Sequence, residues 1–227
     1  MAPVLAMTEA ERESVADAVR RAEAQTAGEI VTILAESSDP YADVALAWSA
    51  AVALAALAAL AVAPDFYLGL YDLLFADWGH QWSAGQILGL AACVAALKFG
   101  GMWLLMLWRP LRLFLAPGPV LDRRVHARAL TCFRVGAERR TRGRTGILIY
   151  LSLAEHRAEI IADESIAAKV EGEVWGEALA AMLAELKQGR LSHGLIAAVD
   201  KVAAVLAAHV PRSAEDTNEL PDRLIEV

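Results

Sequence analysis

Two long apolar runs constrain this 227-residue chain more than anything else in it. Residues 44–63 (VALAWSAAVALAALAALAVA) pass 20 positions without a charge, and residues 86–108 (QILGLAACVAALKFGGMWLLMLW) pass 23 with only Lys98. At about 1.5 Å rise per residue, a helix of either length reaches across a hydrocarbon core about 30 Å thick. Such runs are unusual in soluble cores. The expectation is a transmembrane hairpin with spans 44–63 and 86–108. The first span is the weaker hydrophobe, since 11 of its 20 residues are Ala. Ala47, Ala51, Ala55, Ala59 and Ala63 recur at four-residue spacing, as do Ala92, Ala96 and Gly100. Small residues at that spacing let helices approach closely in lipid, so the spans are expected to pack on each other.

The chain is 57% hydrophobic with a mean hydropathy of +0.40, and the excess lies mainly in these runs. The net charge is −7, with no long block of Lys or Arg, which argues against nucleic acid as a main partner because phosphate binding needs clustered positive charge. Cys93 and Cys132 lie in different contexts and read neither as a disulfide nor as a metal site. The opening MAPVLAMTEAERESV lacks the basic start and apolar core of a signal peptide, so nothing visible exports the region before the first span. The loop 64–85 carries Asp65, Asp72 and Asp77 and no Lys or Arg, whereas Arg109, Arg112, Arg123, Arg124 and Arg128 follow the second span. Positive charge stays on the cytoplasmic side, so both termini are expected in the cytoplasm and the loop outside, in a bacterial inner membrane. Phe66, Tyr67, Tyr71, Phe75, Trp78 and Trp82 read as interfacial anchors. Lys98, near mid-span, is a functional candidate because an ionisable group there is costly; a snorkelling stem or a lysine facing a partner subunit is the alternative. Neither span offers it an acid, which points to self-association or to another membrane protein.

The flanking segments read as a soluble α/β domain. Thr8 and Glu11 form a capping box that opens a helix running to about Gln25, and Glu29–Ala35 is a buried, β-branched strand. Arg109–Leu115 is short, basic and apolar, suited to a membrane surface. A helix follows over 121–138, then a strand over 146–153, a short link, and a second strand over 158–162 that makes a hairpin. Two helices, about 173–188 and 192–209, end at Gly189 and Pro211, and 212–227 is a polar tail. The strand before the membrane hairpin cannot bury itself alone, so it is expected to pair with the strands after it. The domain is then discontinuous: 1–43, the hairpin 44–108, an interfacial linker 109–119, and 120–211. A small mixed sheet with helices on both faces is expected.

No G-x-S-x-G, P-loop or G-x-G-x-x-G in its strand–turn–helix context occurs, and the histidines His80, His126, His156, His193 and His209 do not fall in metal-ligand spacings. Carboxylates do follow the strands: Asp39 and Asp43 after the first, Asp163 and Glu164 after the third. Ligand sites gather beyond the carboxyl ends of strands in α/β sheets, and carboxylates suit hard cations such as Ca²⁺ or Mg²⁺. The alternative is that Asp163 and Asp39 are helix caps or turn formers. The run 139–144, RRTRGR, is either an anion-attracting patch or a solvated turn.

The order of several segments resembles the TPM domain proteins, named for a thylakoid lumen acid phosphatase, a photosystem II repair protein and a nematode acetylcholine-receptor modulator. These are Glu23 with Thr26-Ala27-Gly28-Glu29-Ile30-Val31, then Thr145 to Ser152, then Glu159 to Asp163. Trp175 and the tail Thr217-Asn218-Glu219-Leu220-Pro221-Asp222 fit a bacterial branch. The resemblance implies a three-layer α/β/α domain. Weak acid phosphatase activity is attributed to some members and Ca²⁺ binding to others; some act as assembly, repair or modulating factors for membrane complexes. Asp163 is the position carried over to a cation site, with Asp39 as a second. Many relatives hold the domain outside the cytoplasm, whereas here the spans interrupt it after the first strand. The expected function is a membrane-anchored, non-enzymatic binding or assembly factor; the alternative is a membrane-bound, metal-dependent phosphatase.

Overall fold

A computed structural model of the chain describes residues 7–75, 82–136, 144–212, 220 and 222–227. They divide into two compact units, one made of Met1–Asp39 and Gly118–Val227, the other of Pro40–Pro117.

The first unit is an α/β domain. Its first helix, α1 (Glu9–Glu23), starts as its capping box directs. The Glu11 N–H donates to Thr8 Oγ1 at 3.3 Å, and the Thr8 N–H donates to Glu11 Oε2 at 2.8 Å. The strand β1 (Glu29–Ala35) is buried along its whole length. After α6 (Gly118–Gly136), β2 (Gly146–Ser152) pairs parallel with β1 in a register running from Glu29–Gly146 to Ala35–Ser152. The strand β3 (Arg157–Ala162) turns back antiparallel on β2. Next come a one-turn helix, α7 (Glu164–Ala167), then α8 (Gly172–Leu186) and α9 (Leu191–His209), and finally β4 (Ile225–Glu226), which pairs parallel with β1. The mixed sheet has the order β3-β2-β1-β4.

Side chains alternate across a strand, and the sheet uses that alternation to build two cores. Ile30, Leu34, Ile147, Ile149 and Leu151 face α1, α8 and α9, meeting Val15, Val19, Met182, Leu195, Val199 and Leu206. Val31, Ile33, Leu148 and Tyr150 face α6, meeting Val125, Ala129 and Phe133. The result is the expected three layers, helix on both faces of a small mixed sheet. Each fully buried large aliphatic side chain contributes roughly 1.5–3 kcal/mol.

The second unit holds α2 (Ala42–Val62), α3 (Pro64–Phe75), α4 (Ala84–Met106) and α5 (Arg109–Leu115), with α2 and α4 packed on one another. Ser83 caps α4, accepting from the Gln86 N–H at 3.3 Å while the Ser83 N–H donates to Gln86 Oε1 at 2.9 Å. Arg112 joins the start of α2 to the end of α4: it donates to the Pro40 carbonyl at 2.5 Å and to the Met106 carbonyl at 2.8 Å. The chain therefore enters and leaves this unit at the same end of the helix pair.

Among the described residues, three helices are long and apolar enough to cross a membrane: α2, α4 and α9. They differ in what covers them. Half of the most apolar stretch of α9 is buried, against 22% for α2 and none for α4. The apolarity of α9 is used up in the core against α1, α8 and the sheet. That of α4 is not, and Leu88, Leu97, Leu104 and Leu105 stand open.

Several expectations change. The 64–85 segment is not all loop: Pro64, whose ring fixes a helical φ, opens α3. Tyr71 stacks edge-on with Trp82 at 5.3 Å, and the Trp82 indole N–H donates to Asp72 at 3.2 Å. Asp77, Trp78 and His80 lie outside the described residues. The helix expected from 121 begins at Gly118, with Pro119 in its first turn. The tail is not merely polar: Leu220 and Leu224 are buried, and β4 extends the sheet.

Candidate functional site

The parallel pair β1–β2 gives the sheet a carboxyl end and an amino end, each carrying its own polar cluster. At the carboxyl end, Ser37 and Ser38 follow β1, Tyr150 and Ser152 close β2, and Glu155 sits in the β2–β3 turn. The register that pairs Ala35 with Ser152 brings them together. Glu155 is 4% exposed. Its Oε1 accepts from the Ser38 N–H at 2.9 Å and from Ser37 Oγ at 3.0 Å, and its Oε2 accepts from Ser152 Oγ. Ser38 Oγ donates to Ser152 Oγ at 2.9 Å and lies 3.0 Å from the Tyr150 hydroxyl, which is left to donate to it. A chain of hydroxyls thus runs Tyr150, Ser38, Ser152, Glu155. Burial pushes the Tyr150 phenol above its ordinary value, and the bond to Ser38 partly offsets this. Burial also raises the nearby Cys132 thiol, opposed by Arg128.

Chemically this cluster is saturated rather than poised. A carboxylate that already accepts three donors is a poor general base, and Ser38 gives its proton to another serine. Around it stand ion pairs of Arg124 with Asp39 at 2.8 Å and Arg157 with Asp122, plus His126 Nδ1 3.2 Å from Glu159.

At the amino end, Glu23 and Glu29 carry carboxyls into the interior, 8% and 4% exposed. Glu23 Oε1 accepts from the Ile30 N–H at 2.9 Å, and Glu29 Oε2 accepts from the Leu220 N–H at 3.1 Å. Glu23 Oε2 is buried and meets no donor among the described residues. Desolvation pushes the Glu23 carboxyl up to about 8, the Ile30 bond opposes this, and the neighbouring charges of Glu29 and Asp222 add to it.

The two carboxylates expected to hold a cation do not meet. Asp163 follows β3, which runs antiparallel, so its N–H donates to the Gly146 carbonyl at the start of β2. Asp39 lies beyond the end of β1. The length of β2 separates these ends by about 20 Å. Asp163 caps α7, its Oδ1 accepting from the Glu164 N–H at 2.8 Å, while Oδ2 is buried without a partner among the described residues. Glu164 beside it is paired with Arg144 at 3.4 Å, and Asp39 with Arg124. Among the described residues, no group of three or more His, Cys, Asp or Glu side chains is placed to hold a metal ion. One ion cannot be held by this pair. Arg139 to Gly143 of the basic run lie outside the described residues. Lys98 lies on α4, exposed.

Reasoning from sequence missed Glu155 and its serines, because only the strand register brings them together. Glu23, Glu29 and Asp222 were visible as parts of the matched segments, yet their convergence was not.

The sequence profile of the TPM domain matches residues 123–205. The BA42 protein of the psychrophilic bacterium Bizionia argentinensis, solved by NMR, has a similar structure: 18% identity, a TM-score of 0.57, and all of both chains covered. At that identity the likeness speaks for the fold. No curated protein matches the chain.

Proposed function

We propose, from the premise that residues 123–205 form a TPM domain, that this chain is a membrane-anchored TPM domain protein whose α2–α4 hairpin spans the bilayer and whose domain binds or helps assemble a membrane protein complex. One observation carries the reading: α4 packs on α2, yet no residue of its most apolar stretch is fully buried, while α9, of comparable length, has half of its apolar stretch buried. A bare apolar face of that extent is unstable in water and at home in lipid. The Arg112 bonds at the shared end of α2 and α4 support a hairpin whose two ends stay on one side, and Arg109 and Arg112 supply the positive charge that marks the cytoplasmic side.

The binding role is favoured over catalysis by the saturated state of Glu155 and by the separation of Asp39 from Asp163. A metal-dependent phosphatase needs ligands that converge on one ion beside the phosphate. The test has two parts. Washing membranes with alkaline carbonate should leave the chain in the pellet; release to the supernatant ends the anchored reading. Purified protein given p-nitrophenyl phosphate, with and without Ca²⁺ or Mg²⁺, should show no metal-dependent turnover. Turnover abolished by Asp163→Asn would establish the phosphatase instead.

A further inference from the structure

Lys98 is the single charge on α4, an otherwise apolar helix that packs on α2 and exposes the rest of its surface. It lies eight residues before Met106 and fourteen after Ala84, so about 12 Å and about 21 Å from the ends of α4. It is exposed, as is Leu97 beside it at 75%. No carboxylate among the described residues bonds to it, and neither 44–63 nor 86–108 contains Asp or Glu. Asp43, in the first turn of α2, and Asp65, in the first turn of α3, lie at helix starts, away from mid-depth.

Snorkelling does not resolve this charge well. Side chains on a helix lean toward its N-terminus, so Lys98 leans away from its nearer boundary, near Met106. Toward the farther boundary a lysine stem reaches only about 6 Å of the distance. One turn away on either side, Ala95 and Gly101 are small, and a side-chain carbon added at Gly101 would meet nothing within 4 Å. A second helix therefore has room to bring its backbone close.

We propose that Lys98 is the docking point for a membrane-spanning helix of a different protein that carries a carboxylate at mid-depth. This rests on the membrane-anchored reading above. A second copy of this chain does not meet the requirement, because its spans hold no acid to offer. Interhelical pairing of an ammonium with a carboxylate neutralises two charges that lipid disfavours separately.

The test reconstitutes the full chain, fluorescently labelled at its C-terminus, into phosphatidylcholine vesicles. The vesicles carry a synthetic polyleucine membrane-spanning helix with one glutamate at its centre, or with leucine or lysine there. Flotation reads insertion; energy transfer reads association. Association with the glutamate helix is expected to exceed that with the leucine helix by about tenfold. Lys98→Leu should abolish the preference, Lys98→Arg retain it, and Lys98→Glu transfer it to the lysine helix. An inserted chain that binds the glutamate and leucine helices equally overturns the docking site and leaves the anchor standing. Lys98-dependent self-association without any added helix overturns it in favour of a second copy. A chain that does not float with the vesicles overturns the anchored reading and this proposal together.

Discussion

Glu23 sets a clear electrostatic conflict at a single residue. One oxygen accepts from the Ile30 N–H; the other is buried against the carboxylates of Glu29 and Asp222. Holding a proton relieves the conflict, which is why the group titrates at about 8 rather than near its ordinary 4.5. The unfolded chain sheds that proton near 4.5 and the folded chain keeps it, so between these values the native state binds more protons. Stability from this group is complete at acid pH and lost as pH rises toward 8, at up to about 1.4 kcal/mol per pH unit. Glu23→Gln keeps an acceptor for Ile30 and cannot ionise. Unfolding followed by circular dichroism in detergent from pH 5 to pH 8 should show a falling stability in wild type and a flatter profile in the variant. Parallel profiles would rule out a buried, protonated Glu23. Residues of this kind were half legible: Glu23 and Glu29 stood in a recognisable segment, but their burial depends on Leu220 and Asp222 arriving from nearly two hundred positions away. Asp163 was legible as a cap, since a carboxylate just before a helix readily serves as one.

Elements were legible where the signal was internal to them. The Thr8–Glu11 box fixed the start of α1, and the β-branched run Ile30-Val31-Thr32-Ile33 marked β1 as a strand. Elements made by their partners were not. The two residues of β4 have no strand pattern of their own; they extend because the Val227 N–H donates to the Leu34 carbonyl and the Glu36 N–H to the Val227 carbonyl, each at 3.0 Å. Arg12 then holds Glu226 through two bonds, at 2.9 and 3.2 Å. Those exposed bonds contribute little. The holding force is Leu224, buried in the core shared by α1 and α9. Leu224→Ala should cost about 2 kcal/mol in chemical unfolding, and Arg12→Ala less than that. The reverse order would mean that the tail is held by charge. The same distinction separates α9 from α4: composition alone marks both as spans, and only their neighbours tell a core helix from a bare one.

The pairing of β1 with β2 constrains the topology of the entire chain. They pair residue for residue over Glu29–Ala35 and Gly146–Ser152, yet α2 to α6 lie between them in the chain. A sheet cannot form across a bilayer, so whatever crosses between these strands must cross an even number of times. A hairpin satisfies this and a lone span does not. The parity constrains α9 as well, because a third crossing would carry β4 away from β1. On the proposed membrane-anchored reading, the acidic α3 side, with Asp65 and Asp72, and the cationic α5 side, with Arg109 and Arg112, would orient the pair with the sheet in the cytoplasm. Cysteine labelling of spheroplasts checks this directly. Cys93, on the exposed face of α4, should stay unreactive to a membrane-impermeant maleimide until detergent is added. Gly85→Cys, at the start of α4 near the α3 side, should react from outside in intact cells. Protease added to the same spheroplasts should leave 118–227 whole. Digestion of that segment, with Gly85→Cys protected, would keep the even crossing number and invert the orientation, because parity follows from strand pairing whereas sidedness follows only from the arginines.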